Sequence, residues 1–366
     1  MIRPFVAALA AAACLPLGCG PTPPASPPAA EPEPSRPPAA APAPGLQSDL
    51  QTLADGFVDR VGLAVQDVPS GRAWGVLADQ PFPQQSVSKL WVALAAFDAI
   101  DRGALRLDET IFVGRQDLSV FHQPIRARVG MTGAEFTVEA LIRGALIQSD
   151  NAAVDVLIRR LGGAEAIMAV LSRKGLTGIR AGQEERVQQA RTAGLTWRSD
   201  YSFGRTFWTD REALPPEVRR AALDRYLADP PDAATPAAIV DALARLQRGR
   251  LLSPASTDRM LAVMEQSVTG PERLKGGLPD GWRLSHKTGT GQVLGPVQTG
   301  INDVGLITAP DGRTYAVAVM IQATARPPSE RRALMQAVAR AVVAHHEARF
   351  GSPQTEGAAP SPEPPP

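Results

Sequence analysis

The sequence predicts an α/β (α+β) fold: an antiparallel sheet flanked by N- and C-terminal helices, with an all-helical subdomain inserted into its middle. Two observations predict it. Paired strand signals flank a turn near each end of the folded part, at Pro69-Ser70-Gly71 and at Pro310-Asp311-Gly312. Between them runs a long stretch of helical periodicity punctuated by helix caps. Strands from both ends can share one sheet, and the helices between them must then pack as a separate layer.

The elements follow in order. Ser48-Asp49-Leu50 opens a helix that runs through Asp59. Gly62 to Val68 and Arg72 to Leu77 form the first hairpin. A loop at Pro83-Gln84-Gln85 leads into a buried helix, Leu90 to Phe97, that ends near Gly103. Phe136 to Gly163 and Ala164 to Gly175 read as helical. Thr235-Pro236 and Ser253-Pro254 each start a helix, the hydroxyl residue as N-cap and the proline at the first position. Trp282 to Lys287 reads as a strand, and Asp303 to Thr308 and Thr314 to Ile321 form the second hairpin. Ser329 to Phe350 is the closing helix.

The ends have a different composition. Residues 1–19 read as an export signal: Arg3, then an apolar run from Phe5 to Leu15 too short for a permanent span. Leu15-Pro16-Leu17-Gly18-Cys19 resembles a lipoprotein cleavage site, with Pro16 departing from the usual leucine, so Cys19 is the candidate lipidation residue. Residues 20–45 are a Pro/Ala-rich tether, residues 46–350 the folded domain, and residues 351–366 a Pro-rich tail without apolar periodicity. An exported, lipid-anchored, monomeric protein is expected, touching membrane only through that lipid.

Composition removes several function classes. Lys and Arg total 38 against 37 Asp and Glu, so no basic surface argues for nucleic acid. The four histidines, His122, His286, His345 and His346, have no metal-ligand spacing, so neither a metal nor another cofactor is expected. Both cysteines, Cys14 and Cys19, lie in the first twenty residues, so the domain folds without disulfides.

Three short motifs carry chemistry. Ser86-Val87-Ser88-Lys89 sits at the entry to a helix, where a three-residue spacing puts hydroxyl and amine on one face. A serine there, near the helix N-terminus with an amine in reach, can be an activated nucleophile; taken alone it is equally a cap beside a solvated lysine. Ser149-Asp150-Asn151 breaks an apolar helical run, and alone would be a cap. Lys287-Thr288-Gly289-Thr290-Gly291 ends a strand, where glycine permits close approach by a ligand.

In that order and on those elements, S-x-x-K, S-D-N and K-T-G form a set, and the chain resembles the class A serine β-lactamases. The resemblance covers Leu46 to Phe350. Pro83, Thr137-Val138-Glu139-Ala140-Leu141, Leu161-Gly162-Gly163, Thr235-Pro236-Ala237-Ala238, Gly281-Trp282 and Asn302-Asp303 extend it. It implies hydrolysis of small β-lactams through a Ser86 acyl-enzyme, with Lys89 taking or relaying the serine proton. Ser149 would protonate the leaving nitrogen, polarised by Lys287, and the Ser86 and Thr290 amides would form the oxyanion hole. Asn151 would bind the substrate's side-chain amide. Lys287, Thr288, Gly289 and Thr290 would line the carboxylate site, with Arg332 as a further cation and His122 at the rim. Asp150 is expected to bond loop backbone. A peptidoglycan carboxypeptidase or transpeptidase with slow deacylation, or a silent penicillin-binding module, shares these motifs.

The chain departs from the pattern in two places. The family's E-x-E-L-N string is missing, and counting from Gly175 and Arg180 places Glu185 at the deacylating glutamate and Gln189 at the water-holding asparagine, with Glu184 the neighbouring candidate. The segment 190–234 is longer than the family's loop and rich in aromatics: Trp197, Tyr201, Phe203, Phe207, Trp208 and Tyr226. It is expected to pack near the site mouth and alter substrate choice.

Overall fold

The stretches Val297–Thr308 and Thr314–Thr324 become the two central strands of the sheet, buried on both faces along most of their length. The computed structural model describes residues 45–181 and 183–351. The export signal, Cys19, nearly all of the tether and the tail beyond Gly351 lie outside the described residues. The sheet is antiparallel, in the order Ala73–Val76, Val61–Asp67, Thr314–Thr324, Val297–Thr308 and Arg283–Gly289, with Val293–Leu294 added against Val297–Thr308. The register places Val65 opposite Val317, Val317 opposite Gly305, and Lys287 opposite Val304.

Side chains alternate between two cores, as a strand's period of two requires. Leu63, Val65, Val317, Val319 and Ile307 face one side and pack with Leu50, Phe57, Met335 and Val342 of the terminal helices Leu46–Phe57 and Pro328–Phe350. Ala64, Val304, Leu306, Ala318 and Met320 face the other side and join the helical layer. That layer is built around the helix Lys89–Asp101, buried from Lys89 through Ala99 because it is apolar all round. The helix Pro236–Gln247 packs its Ile239, Val240 and Leu243 into the same core, capped as predicted by Thr235, whose hydroxyl accepts from the Ala238 amide at 3.1 Å.

The helix expected over Phe136 to Gly163 is interrupted. Phe136 belongs to a strand, Ala134–Thr137, paired with Thr110–Val113, and the helices are Val138–Ile147 and Asn151–Arg160. The break falls at Ser149, whose φ of 61° lies in the left-handed region, and Asp150 then caps the second helix through the Ala153 amide at 2.9 Å. The segment 190–234 is ordered, with helices at Thr206–Ala213 and Pro216–Ala228 and a two-residue strand, Ala233–Ala234, paired with Phe82–Pro83. That pairing ties the end of the long segment to the loop before Ser86.

Candidate active site

Ser86 lies in one turn of 3₁₀ helix, Gln85–Ser88, that continues directly into Lys89–Asp101. The turn is held from below. Gln85 has φ 53°, and its amide donates to Asp232 Oδ2 at 2.6 Å, while Gln84 Nε2 donates to the carbonyls of Asp232 and Arg180. Asp232 is fully buried and receives the Tyr226 hydroxyl, so the long segment's second helix supports the nucleophile loop. Burial raises the Asp232 carboxyl pKa to about 6, against the Gln85 and Tyr226 hydrogen bonds.

Lys89 is 1 % exposed, and its Nζ reaches three partners. It donates to Ser86 Oγ at 2.8 Å and Asn151 Oδ1 at 3.0 Å, and it pairs with the Glu185 carboxylate. Ion pairs this deeply buried persist only when every remaining valence is satisfied. Asn151 completes the set by donating Nδ2 to Val120 O at 2.8 Å, which leaves one amide hydrogen free for a ligand.

Lys287 is fully buried on the edge strand of the sheet and donates to Ser149 Oγ at 2.9 Å and Thr288 O at 3.0 Å. Burial, then the Lys89 charge, pushes its pKa well below the usual lysine value. The strand is locked to the nucleophile loop. Asn302, opposite Gly289, donates Nδ2 to Pro83 O at 2.8 Å and Gln84 O at 2.9 Å. A Cβ at residue 289 would collide with the Gln84 carbonyl oxygen, so glycine is required there by contact. One residue further in, Asp303 joins His286 Nδ1 at 2.7 Å with both side chains out of solvent.

Glu185 opens the helix Glu185–Thr192. Its carboxylate faces Lys89 and receives Gln189 Nε2 at 3.1 Å. Burial acts to raise its pKa, but the Lys89 charge and hydrogen bonds from Lys89 and Gln189 outweigh burial and hold it below the ordinary value, so the group is ionised. Glu184 turns the other way, to Arg159 and Arg186. Asp155, 0 % exposed, holds this helix start: it accepts from the Glu185 amide at 2.5 Å, the Arg186 amide at 3.2 Å and Ser119 Oγ at 2.7 Å. Burial, aided by the Glu185 and Glu184 charges, raises its pKa to about 7.

These groups open into one cleft of about 610 Å³ that includes Ser86, Ser149, Asn151, Glu185, Thr288 and Thr290. His122 stands on its exposed rim, and its carbonyl accepts from the Asn151 amide at 2.9 Å. Arg332 is not brought to the cleft. The closing helix starts at Pro328, which puts Arg332 in its second turn, where Nε lies 3.7 Å from Glu272 on the outer surface. The cation on that wall is Arg273, which the sequence reading missed. It donates to Gly289 O at 3.0 Å, Asn302 O at 2.7 Å and Thr290 Oγ1 at 2.6 Å. The sequence signal that could have found it is the turn Thr269-Gly270-Pro271 just before it, with Thr269 Oγ1 meeting Thr288 Oγ1 at 2.7 Å.

The long segment forms the outer wall. Tyr201 and Phe207 pack with Val120, Ala190 and Ala193 as a small core of their own. Phe121, at φ 63°, stacks edge-on to Phe207 at 4.9 Å and tilted on Trp208 at 5.2 Å. Phe121, Trp208 and Arg211 face the cleft. Among the described residues, no cluster of His, Cys, Asp and Glu could hold a metal ion, and no helix is long and apolar enough to cross a membrane.

The beta-lactamase enzyme family model matches residues 45–346. Beta-lactamase VEB-1 of Pseudomonas aeruginosa is 27% identical over 265 residues, 72% of this chain and 77% of that protein. The extended-spectrum beta-lactamase PER-1 of the same organism is 27% identical over 301 residues, 81% of this chain and 85% of that protein. An ancestral class A beta-lactamase of known structure shares 30% identity with a TM-score of 0.64, covering 82% of this chain and 99% of its own. The chain belongs to the beta-lactamase enzyme family. Within it, the chain is a serine β-lactamase of class A.

Proposed function

We propose that this protein hydrolyses β-lactams through an ester on Ser86, with Glu185 driving both formation and hydrolysis of that ester. The observation that carries the reading is one continuous contact chain: Ser86 Oγ to Lys89 Nζ at 2.8 Å, and Lys89 Nζ to the Glu185 carboxylate. Lys89 touches both, so it takes the Ser86 proton while passing its own to Glu185. The freed Oγ attacks the lactam carbonyl carbon. The developing oxyanion is received by the Ser86 and Thr290 amides, where each donor contributes about 10²–10³ in rate. The lactam C–N bond breaks as Ser149, hydrogen-bonded to Lys287, gives its proton to the nitrogen, and the proton taken up by Glu185 returns through Lys89 to Ser149, which leaves Glu185 a carboxylate again. A water held by Glu185 and Gln189 then loses a proton to the Glu185 carboxylate and attacks the ester, and Ser86 leaves with that proton. Arg273, Thr288 and Thr290 receive the carboxylate on the substrate's ring system, in place of Arg332. Asn151 and His122 meet the acylamino side.

The test mixes purified protein with a chromogenic cephalosporin and follows colour and intact mass. Turnover that disappears in Ser86→Ala supports the reading. A stable adduct on Ser86 without turnover would instead mark a carboxypeptidase-like enzyme, and no adduct would sink both. The signal in residues 1–19 supports export, with the domain tethered through a lipid on Cys19; membrane association that survives Cys19→Ser would remove the lipid from the proposal.

A further inference from the structure

Arg211 lines the active-site cleft and is 9 % exposed. Among the described residues it has no carboxylate at ion-pair distance, and its Nε has no hydrogen-bond partner. Its assigned polar contact is Nη2 to Val293 O at 2.6 Å. Buried guanidinium groups are ordinarily paired, because an unpaired buried charge is costly. Burial, and then the Arg219 charge, pull its pKa down, opposed by the adjacent Glu212. An incoming anion would relieve both. The neighbouring surface is aromatic: the guanidinium carbon lies 5.7 Å from the Trp208 ring centre, and Trp208 is itself stacked on Phe121.

The buried donors left by Arg211, beside an aromatic face and in the same cleft as Ser86, would be matched by an aryl group carrying an anion. We propose that Arg211, with Trp208 and Phe121, forms a subsite for an aryl acyl side chain that bears a carboxylate. This is distinct from the wall of Thr288, Thr290 and Arg273, which serves the carboxylate on the ring system. The inference rests on the β-lactamase reading, because it names the class of β-lactam that reading leaves open. A guanidinium can offer a carboxylate two parallel N–H donors, which an ammonium cannot copy.

The experiment uses a matched pair. Carbenicillin differs from benzylpenicillin by a carboxylate on the phenylacetyl side chain. For each protein the quantity read is the ratio of kcat/KM for the two, so that loss of folded fraction cancels. Arg211→Gln is expected to lower that ratio by about tenfold to a hundredfold, as losing a charge-assisted hydrogen bond does, with Arg211→Lys in between. A ratio unchanged in both variants overturns the subsite and leaves Arg211 as a pin for Val293. If the wild-type protein acylates without turning over, the hydrolase reading fails, and the same ratio is taken from acylation rates by intact mass. Absence of acylation by either penicillin overturns the subsite together with the hydrolase reading.

Discussion

Two walls of one cleft are built in opposite ways. The inner wall joins the sheet edge to the central helix. Lys89, Asn151, Glu185 and Lys287 are buried there, and their charged or amide groups bond to one another or to fixed backbone. The outer wall, from the segment 190–234, is an aromatic cluster with its own small core, and Trp208 on it is 37 % exposed. Tolerance to substitution follows from this contrast. A buried polar network is costly when half satisfied, so each inner residue constrains the next. An aromatic wall loses area when changed, and little else. Changes to the inner wall should therefore stop chemistry, and changes to the outer wall should shift affinity and substrate choice.

The largest expected effect separates the two carboxylates at the helix start. Glu185→Gln keeps the shape and removes the base for the water, while Lys89, relieved of its carboxylate partner, can take the Ser86 proton itself, so kcat should fall by about 10²–10⁴ as acyl-enzyme accumulates on Ser86. Glu184→Gln, on a side chain that pairs with Arg159 and Arg186, should turn over normally. The reverse pattern, read by intact mass after mixing, would move the base by one residue. Next comes the lock between strand and nucleophile. Asn302→Leu takes the amide donor from the buried Pro83 carbonyl, at about 1–3 kcal/mol, while the Gln84 carbonyl keeps the Val87 amide at 3.2 Å. Denaturant unfolding should show the loss, and kcat should fall with it because Ser86 rides on the same loop. Unchanged stability would mean that water replaces the amide.

Much of the inner wall was legible because it is written in short linear spacings. Ser86 and Lys89 share a helix turn, and Lys287 to Thr290 share a strand, so spacing and direction coincide. Glu185 came from counting along a helix and a loop, and its place against Lys89 depends on Asp155 catching the Glu185 amide from another helix. Arg332 was misplaced for a related reason. Helical phase shows that it lies near the start of the last helix, but not that Glu272 meets it outside the cleft. Arg273 sits in a turn, where no periodicity reports direction. The helices at Thr206–Ala213 and Pro216–Ala228 were invisible because few of their residues are buried, Phe207 and Arg211 in the first and Ala222, Leu223 and Tyr226 in the second, too few to write an apolar stripe. The strand Ala134–Thr137 was absorbed into a helix because four residues carry too little alternation.

The inner wall also sets a pH dependence. Asp155 has a folded-state pKa of about 7, above its ordinary carboxylate value, so the fold favours its protonated form. The unfolded chain releases this proton as pH rises past about 4, and the folded chain holds it until about pH 7. Stability from this group is therefore full below the unfolded value and is lost as pH rises across that window. Asp155→Asn cannot ionise, so its unfolding free energy should fall less steeply than wild type between those limits. Parallel curves for the two proteins, from urea unfolding at a series of pH values, would show that Asp155 is already ionised in the fold.

The smallest effect sharpens the contrast from the other side. Phe121 holds a left-handed backbone, a conformation that costs a bulky residue on the order of 1 kcal/mol and persists when neighbours enforce it. Two of those neighbours are Phe207, buried, and Trp208, partly exposed. Trp208→Ala removes one stacking partner, about 0.5–1.5 kcal/mol, and leaves Phe207 in place. Stability should drop by roughly that amount, and KM for aryl-substituted β-lactams should rise a few-fold at unchanged kcat. The inner network does not touch Trp208, so a fall in kcat comparable to that of an inner-wall variant would show that the two walls are one unit. Phe121→Gly gives the complementary reading: glycine adopts the left-handed backbone without strain but loses the ring. If KM rises in Phe121→Gly as it does in Trp208→Ala, the rings themselves make the outer wall, and the backbone conformation serves only to present them.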